Sequence, residues 1–408
     1  MQTISVFEHQ SLRVKEKGLT PTHLEALERF LGNNDETTFP YYSLIHNGVK
    51  FRQFVGVMCI NDLTIEILPK TDRNNENNPD YWRERLLFML SKVYKLDVKS
   101  LTEAKQKTRT NSPILDIFIK RFLDEVDNLL NRGLVKCYHK DDGNRKVLKG
   151  KLLIGGHVIR NFIHKERFYV RYTIYDYEHV MNSLLRQALD VAVMATNNVY
   201  LRDRARSAIF NFPELKEITV TPELFGKLAF DRKTEDYQMA IKLAKLLLLQ
   251  TVPNRVGKGD RVLTLMFDMN KLWEEYVFIS LRRHLKDDYS VRGQEVLRFW
   301  QQEDGTYKTI RPDIVIRQKS RDEVIAILDT KWKCPDKGPS DGDLHQMFVY
   351  SRMYESQKVG LLYPSTNRET LIHANFLNQN NASCDMLFLR LEQLDQVSKL
   401  LESWLQQH

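Results

Sequence analysis

Two aspartates and a lysine carry the chemistry open to this chain. Asp313 stands sixteen residues before Asp329, and Lys331 follows Asp329 at a spacing of two. Residues two apart on a strand project to the same face, so Asp329 and Lys331 emerge side by side. Both belong to the stretch 310–333, which reads as two short strands joined by a polar turn. Ile310, Ile314 and Ile316 mark the first strand. The unbroken apolar run Val324-Ile325-Ala326-Ile327-Leu328 marks the second as buried. Charges gathered at the end of an apolar hairpin repel one another or cost desolvation unless something holds them, and a divalent cation is the usual reason.

Mg²⁺, or Mn²⁺ in its place, suits such a site. Mg²⁺ prefers oxygen, keeps several waters and takes only one or two carboxylates from a protein. Asp313 and Asp329 are the candidate metal ligands, with the backbone carbonyl of Thr330 completing the shell. Such an ion neutralises a phosphate and lowers the pKa of a bound water, and Lys331 on the same face orients that water and stabilises developing charge. Gln346 and Tyr350, four apart on an expected helix from about 343, share a face and line the same cleft. Glu274 or Glu275, on the helix that opens the last domain, is the candidate third carboxylate, although Glu275 reads better as an exposed residue. A bare Asp-x-Lys says little; the information lies in an aspartate, a hairpin, and then Asp-x-Lys ending a β-run.

The elements that must position these residues follow from the rest of the chain. Its 408 residues, 42% hydrophobic and 28% charged, suffice for two or three globular domains. The net charge of +8 suits a phosphate-rich partner without requiring one. The four cysteines, Cys59, Cys137, Cys334 and Cys384, form no CxxC pair, which points to a reducing cytoplasm rather than a zinc site or disulfide framework. No signal peptide, internal repeat or apolar run long enough for a membrane span is seen.

Three regions are expected. Residues 1–75 form a β-rich N-terminal domain with one short helix near 21–31, ending in the Asn-rich polar run 71–80. Residues 76–260 are mainly helical, with helices near 81–94, 113–133, 182–195 and 236–250. Within them, 148–177 reads as a β-ribbon in which Arg160, Lys165, Arg167 and Arg171 interleave with Phe162, Phe168, Tyr169 and Tyr172, either to touch a nucleic acid or acidic partner or as a solvated hairpin face. The Pro- and Gly-containing segment 251–261 is the expected boundary. Residues 261–408 begin with a strand, turn into a helix near Met269, and continue as strands, a helix, two strands and a closing helix, an α/β arrangement around one mixed sheet.

Pro312-Asp313, Asp329-Thr330-Lys331 and Gln346-x-x-x-Tyr350 together resemble the PD-(D/E)xK nuclease superfamily, particularly its RecB-like branch. The resemblance extends to the McrC family over roughly residues 80–408. It is carried by Ile114-Leu115-Asp116-Ile117, Asn131-Arg132-Gly133-Leu134, Leu148-Lys149-Gly150-Lys151-Leu152, Tyr175-Asp176-Tyr177 and Asn182-Ser183-Leu184-Leu185. Phe267-Asp268-Met269-Asn270, Leu272-Trp273-Glu274 and Ile327-Leu328-Asp329-Thr330-Lys331-Trp332 complete it. Lys151 stands where the family has arginine, and Tyr177 where it has glutamate.

That resemblance implies a PD-(D/E)xK nuclease domain behind an α+β N-terminal region. It implies a Mg²⁺-dependent endonuclease subunit that joins and stimulates an McrB-type AAA+ GTPase hexamer, cuts DNA carrying modified cytosine, and acts with a second nuclease subunit if both strands are cut. Asp313, Asp329 and Lys331 fall at the family's catalytic positions, with Gln346 and Tyr350 in support and Glu274 at its acidic helix position, which varies. No GxxxxGK[ST] loop occurs, since Gly257-Lys258-Gly259 lacks its flanking residues, so GTP hydrolysis is left to the partner. Two readings compete: a non-catalytic assembly factor that keeps the motif only as structure, and a RecB-like repair nuclease that acts without a GTPase.

Overall fold

The computed structural model describes residues 2–32, 40–61, 63–71, 78–96, 113–196, 198–250, 262–285, 287–335, 338–366, 370–377 and 382–406. Two compact units emerge, one built from Met1–Ile114 with Asn254–His408 and the other from Leu115–Pro253. The expected division at 75 and 260 differs from this grouping, because strands at 2–7, 54–60 and 63–68 share a sheet with the strand expected to open the last domain. The segment 251–261 and residues 72–77 lie outside the described residues.

The first unit opens with β1 (Gln2–Phe7), β2 (Ser11–Arg13), α1 (Pro21–Gly32), β3 (Tyr42–Ile45), β4 (Gly48–Phe51), β5 (Phe54–Ile60), β6 (Leu63–Leu68) and α2 (Pro79–Tyr94). Asn78 caps α2 by accepting from the Tyr81 N–H at 3.1 Å, and Pro79 occupies the first turn, where no N–H is needed. The side chains of β6 are all buried, Glu66 among them. That carboxylate is matched by Arg83 of α2, whose Nε lies 2.6 Å away, so the cost of burying it is met by a hydrogen-bonded ion pair.

The second unit comprises α3 (Pro113–Arg132), β7 (Cys137–Arg145), β8 (Lys151–Leu152), α4 (Ile154–Arg160), β9 (Phe168–Asp176), α5 (Val180–Ala195), α6 (Val199–Asn211), α7 (Pro222–Gly226) and α8 (Tyr237–Gln250). Its sheet runs β7-β9-β8. The ribbon expected at 148–177 is corrected here: β9 pairs chiefly with β7, and 154–160 is a helix. Gly156 makes that helix possible, since a Cβ there would meet Tyr169 Cδ1 at 2.6 Å.

The chain returns to the first unit with β10 (Val262–Asp268), α9 (Met269–His284), β11 (Tyr289–Gly293), β12 (Leu297–Gln301), β13 (Tyr307–Ile310), β14 (Ile314–Gln318), β15 (Glu323–Thr330), α10 (Asp341–Met353), β16 (Lys358–Ser365), β17 (Thr370–Ile372), β18 (Ser383–Arg390), a 3₁₀ turn (Leu391–Gln396) and α11 (Val397–Gln406). β10 pairs antiparallel with β5, from Val262 opposite Ile60 to Asp268 opposite Phe54, and closes the four-stranded sheet β1-β6-β5-β10. Gly56 permits this approach: its φ is +137°, and a Cβ would lie 2.1 Å from the Leu265 carbonyl oxygen. The larger sheet runs β11-β14-β15-β16-β18-β17 and is mixed, with β15, β16 and β18 parallel and the outer pairs antiparallel. β12 and β13 form a separate two-stranded ribbon. No helix among the described residues is long and apolar enough to cross a membrane.

A buried carboxylate joins the beginning of the chain to the end of β15. Glu8 Oε1 accepts from the Lys70 N–H at 2.7 Å and from Trp332 Nε1–H at 2.8 Å, while its Oε2 is buried without a hydrogen-bond partner. Burial pushes the Glu8 pKa up to about 7, outweighing those two bonds. The unfolded carboxyl ionises near 4.5. Its stability contribution is therefore fully present below that pH and is lost as pH rises through 7. Glu8→Gln keeps the acceptor and removes the titration. Urea unfolding at pH 5 and pH 8 should show the parent losing more stability than the variant, by up to about 3 kcal/mol. Parallel losses would contradict this account of Glu8.

Candidate active site

The end of β15 is where the site assembles. The apolar run of this strand is buried from Ala326 onward, which leaves Asp329 only 1% exposed. β14 enters antiparallel beside it, with Ile314 opposite Leu328, so Asp313 just ahead of β14 arrives next to Thr330. Asp313 Oδ2 accepts from the Thr330 N–H at 2.7 Å and from Thr330 Oγ1 at 2.9 Å. These bonds fix the first carboxylate against the strand that carries the second.

Lys331 lies across the second carboxylate, with Nζ 2.6 Å from Asp329 Oδ2. The same ammonium donates to Gln346 Oε1 at 3.1 Å and stands 3.7 Å from Asp343 Oδ1. Gln346 Nε2 is 3.5 Å from Asp329 Oδ1 and donates to the Tyr350 phenol oxygen at 2.7 Å. Tyr350 in turn donates to the Arg311 carbonyl at 3.2 Å. One network thus connects Asp329, Lys331, Gln346 and Tyr350. The helix α10 that presents Gln346 and Tyr350 is started by a capping box between Ser340 and Asp343.

Burial dominates the electrostatics. It pushes the Asp329 pKa up to about 6, and the neighbouring Asp313 pushes the same way against the pull of Lys331. Asp313 is raised as well, by burial, despite the two Thr330 bonds. For Lys331, burial acts to lower the pKa, but Asp329, Asp343 and Asp313 outweigh it and hold the ammonium above its ordinary range. The lysine is therefore a permanent cation beside two carboxylates that are reluctant to ionise together.

Glu274 lies near this pair. Burial first, and then Asp313, push its pKa up to about 7, and Oε1 accepts from Gln294 Nε2. Gln294 also donates its backbone N–H to the Asp313 carbonyl at 3.0 Å. Glu275, half-buried on the same helix, acts with its charge on Tyr94. Asp343 is the residue that reading the sequence missed. Its only signal was the Ser-x-x-Asp spacing of a helix start, which explains the cap but not the second use of the carboxylate on Lys331 and on Lys333, 2.5 Å away.

A divalent metal suits these residues. Asp329 Oδ2 is buried against the Lys331 ammonium at 2.6 Å, and Asp313 stands close enough to raise the pKa of Asp329 further. Repulsion between Asp313 and Asp329 is the strain that a cation relieves. No group of three or more His, Cys, Asp and Glu side chains forms a ready-made metal cluster among the described residues. That leaves a two-carboxylate site, the kind that Mg²⁺ completes with water and backbone oxygen.

A family model described as McrBC 5-methylcytosine restriction system component matches residues 49–364. No curated protein matches the chain. Among solved structures, the chain is similar to one described as a refined half-complex from a tetradecameric assembly of Thermococcus gammatolerans McrB AAA+ hexamers with bound McrC. The identity is 20% and the TM-score 0.61, covering 98% of this chain and 100% of that one. A cryo-EM structure of the Thermococcus gammatolerans McrBC complex is similar at 22% identity and a TM-score of 0.46, over 69% of this chain and 88% of that one. At such identities the likeness speaks for the fold, a mixed α/β chain with several sheets.

Proposed function

The chain belongs to the family of McrBC 5-methylcytosine restriction system components, and on that premise we propose that it is an McrC-type, Mg²⁺-dependent DNA endonuclease subunit with a PD-(D/E)xK nuclease domain. The observation that carries this reading is the convergence of Asp313, Asp329, Lys331 and Gln346 at the end of one buried strand. Asp313, Asp329 and the Thr330 carbonyl would hold the ion. When bound, Mg²⁺ supplies Lewis acidity at the scissile phosphate and a water acidified for attack.

The remaining work belongs to side chains. Lys331 orients the attacking water and stabilises negative charge as it builds on the phosphate oxygens. Gln346 accepts from Lys331 and steadies the ammonium, and Tyr350 fixes Gln346. Glu274, at a pKa of about 7, is a proton acceptor near the carboxylate pair rather than a third ligand in a closed cluster.

An McrB-type AAA+ GTPase hexamer is the partner in this reading. The relative of known structure is bound to McrB AAA+ hexamers in a tetradecameric assembly. The second unit of this chain offers an apolar surface in support: Ile159, Phe162 and Ile163 are 82%, 78% and 84% exposed, the kind of patch that marks a protein interface. Pairing of two such nuclease subunits would allow both strands to be cut.

The test is reconstitution with a ring-forming McrB-type GTPase, GTP and a duplex bearing 5-methylcytosine. Cleavage should require all three, stop on chelation and return with Mg²⁺ or Mn²⁺. Ile159→Asp combined with Ile163→Asp should leave the chain folded but remove its association with the ring. Cleavage that persists in EDTA would overturn the metal-dependent reading, and cleavage without the ring would favour a free-standing nuclease.

A further inference from the structure

The β12–β13 ribbon leads straight into the cutting centre, and its surface belongs to no core. Phe299 and Trp300 are each 44% exposed and Tyr307 is 46% exposed. The register places a bulge between Arg298 and Trp300, with Arg298 opposite Thr309 and Trp300 opposite Lys308. The extra residue sends Arg298 and Trp300 to opposite faces. Arg298 shares its face with Tyr307 and covers that ring at 4.0 Å, whereas Trp300 shares its face with Lys308. Each face therefore carries at least one aromatic ring and one cation, with Phe299 left at the bulge itself.

The roots of the ribbon are held firmly. Leu297 pairs with Ile310, and Ile310 packs on the core cluster that contains Met347 and Tyr350. Tyr354 donates to the Glu295 carbonyl ahead of β12, and Tyr350 donates to the Arg311 carbonyl behind β13, each at 3.2 Å. Both phenols lie on or just past α10, the helix that carries Gln346. Above these roots, Arg298 and Lys308 make no ion pair among the described residues, although the neighbouring Arg292 and Arg317 both pair with Glu295; Arg311, at the root, acts on Asp313 and Glu274 without closing an ion pair. The acidic residues of the ribbon, Glu303 and Asp304, are at its tip, where Asp304 accepts from the Thr306 N–H of the turn at 2.8 Å.

We propose that this ribbon is a DNA-contacting arm of the cutting centre: Arg298, Lys308 and Arg311 bind backbone phosphates, and Trp300 packs on the sugar–base surface beside the scissile bond. Arg298 and Lys308, cations without an ion-pair partner set beside exposed aromatic rings, are the surface that nucleic acid recognises, and Arg311 extends that positive charge to the site. A second copy of the chain would bring the same charges and repel. Continuity with the site adds to this, since only Arg311 and Pro312 separate β13 from Asp313. The inference rests on the nuclease reading and adds the residues that hold the substrate.

Duplex binding by the full chain assembled with its GTPase partner tests it. Arg298→Ala with Lys308→Ala should lower the slope of log binding constant against log salt by about 1.8, the loss of two phosphate contacts. Trp300→Ala should weaken binding roughly tenfold. All three positions are exposed, so melting temperatures should match the parent. An unchanged salt slope together with parental affinity would overturn the proposal. A second check uses the chain alone, without DNA. Trp300 is exposed while Trp82, Trp273, Trp332 and Trp404 are buried, so iodide quenching reports on the ribbon. Quenching that is independent of protein concentration supports a surface left free for DNA, whereas shielding that grows with concentration would assign the ribbon to a second copy and overturn it. Ribbon variants that bind and cut as the parent does, beside an inactive Asp329→Ala, would sink this inference alone; cutting by Asp329→Ala would sink the nuclease reading beneath it.

Discussion

Asp329→Ala is expected to stop cleavage while the chain stays folded and still joins its partner. A metal ligand of this kind contributes several kcal/mol to the transition state. Losing about 4 kcal/mol corresponds to a rate roughly a thousandfold lower. The fold should tolerate the change because the native carboxylate is itself a strained group. Its pKa of about 6 means that ionised Asp329 is disfavoured where it stands. Removing it relieves its repulsion with Asp313, which offsets the lost contact with Lys331. Lys331 also keeps Gln346 and Asp343 as neighbours. Single-turnover cleavage with a melting curve on the same sample decides the matter. A folded variant that cuts within tenfold of the parent would mean that the site is misassigned.

Lys331→Ala should produce the second largest loss, about 10²- to 10³-fold, the range for removing one group that stabilises transition-state charge. Its signature differs from that of Asp329→Ala. Lys331 opposes the upward push of burial on Asp329, so without it the Asp329 pKa moves further up. Because a ligand carboxylate must be ionised to bind metal, the residual activity should rise at a higher pH than in the parent. Lys331→Arg keeps the charge and should restore the parental pH profile better than the rate, because a planar guanidinium does not replace a compact ammonium. A pH–rate series on the parent and both variants checks this. A Lys331→Ala profile superimposable on the parent's would show that the lysine does not act on Asp329.

Much of the site was legible in the sequence because its signals are local. The run Val324–Leu328 followed by Asp-x-Lys has the pattern of a buried strand ending in polar groups, and Gln346 with Tyr350 shows the four-residue spacing of a helix face. Where partners are distant in sequence, no such signal exists. Nothing within Val262–Asp268 says that it pairs with Phe54–Ile60, so the N-terminal strands read as a domain of their own. Residues 154–160 carry two adjacent glycines and lie within a stretch, 148–177, that mixes basic with apolar and aromatic residues in the manner of strands; as a helix they pack Gly156 on Tyr169. Asp343 looked like a helix cap and is one, and its second role on Lys331 appears only when β15 and α10 are brought together.

If Asp313 and Asp329 hold a divalent ion, calorimetric titration of Mn²⁺ into the 408-residue chain will detect it. At pH 7.5 the parent should bind the metal at this site, and Asp329→Ala should not. The parental affinity should fall as pH drops through about 6, where Asp329 takes up a proton and can no longer serve as a ligand. Absence of binding by the folded parent at pH 7.5, or equal binding by parent and variant, would contradict the account.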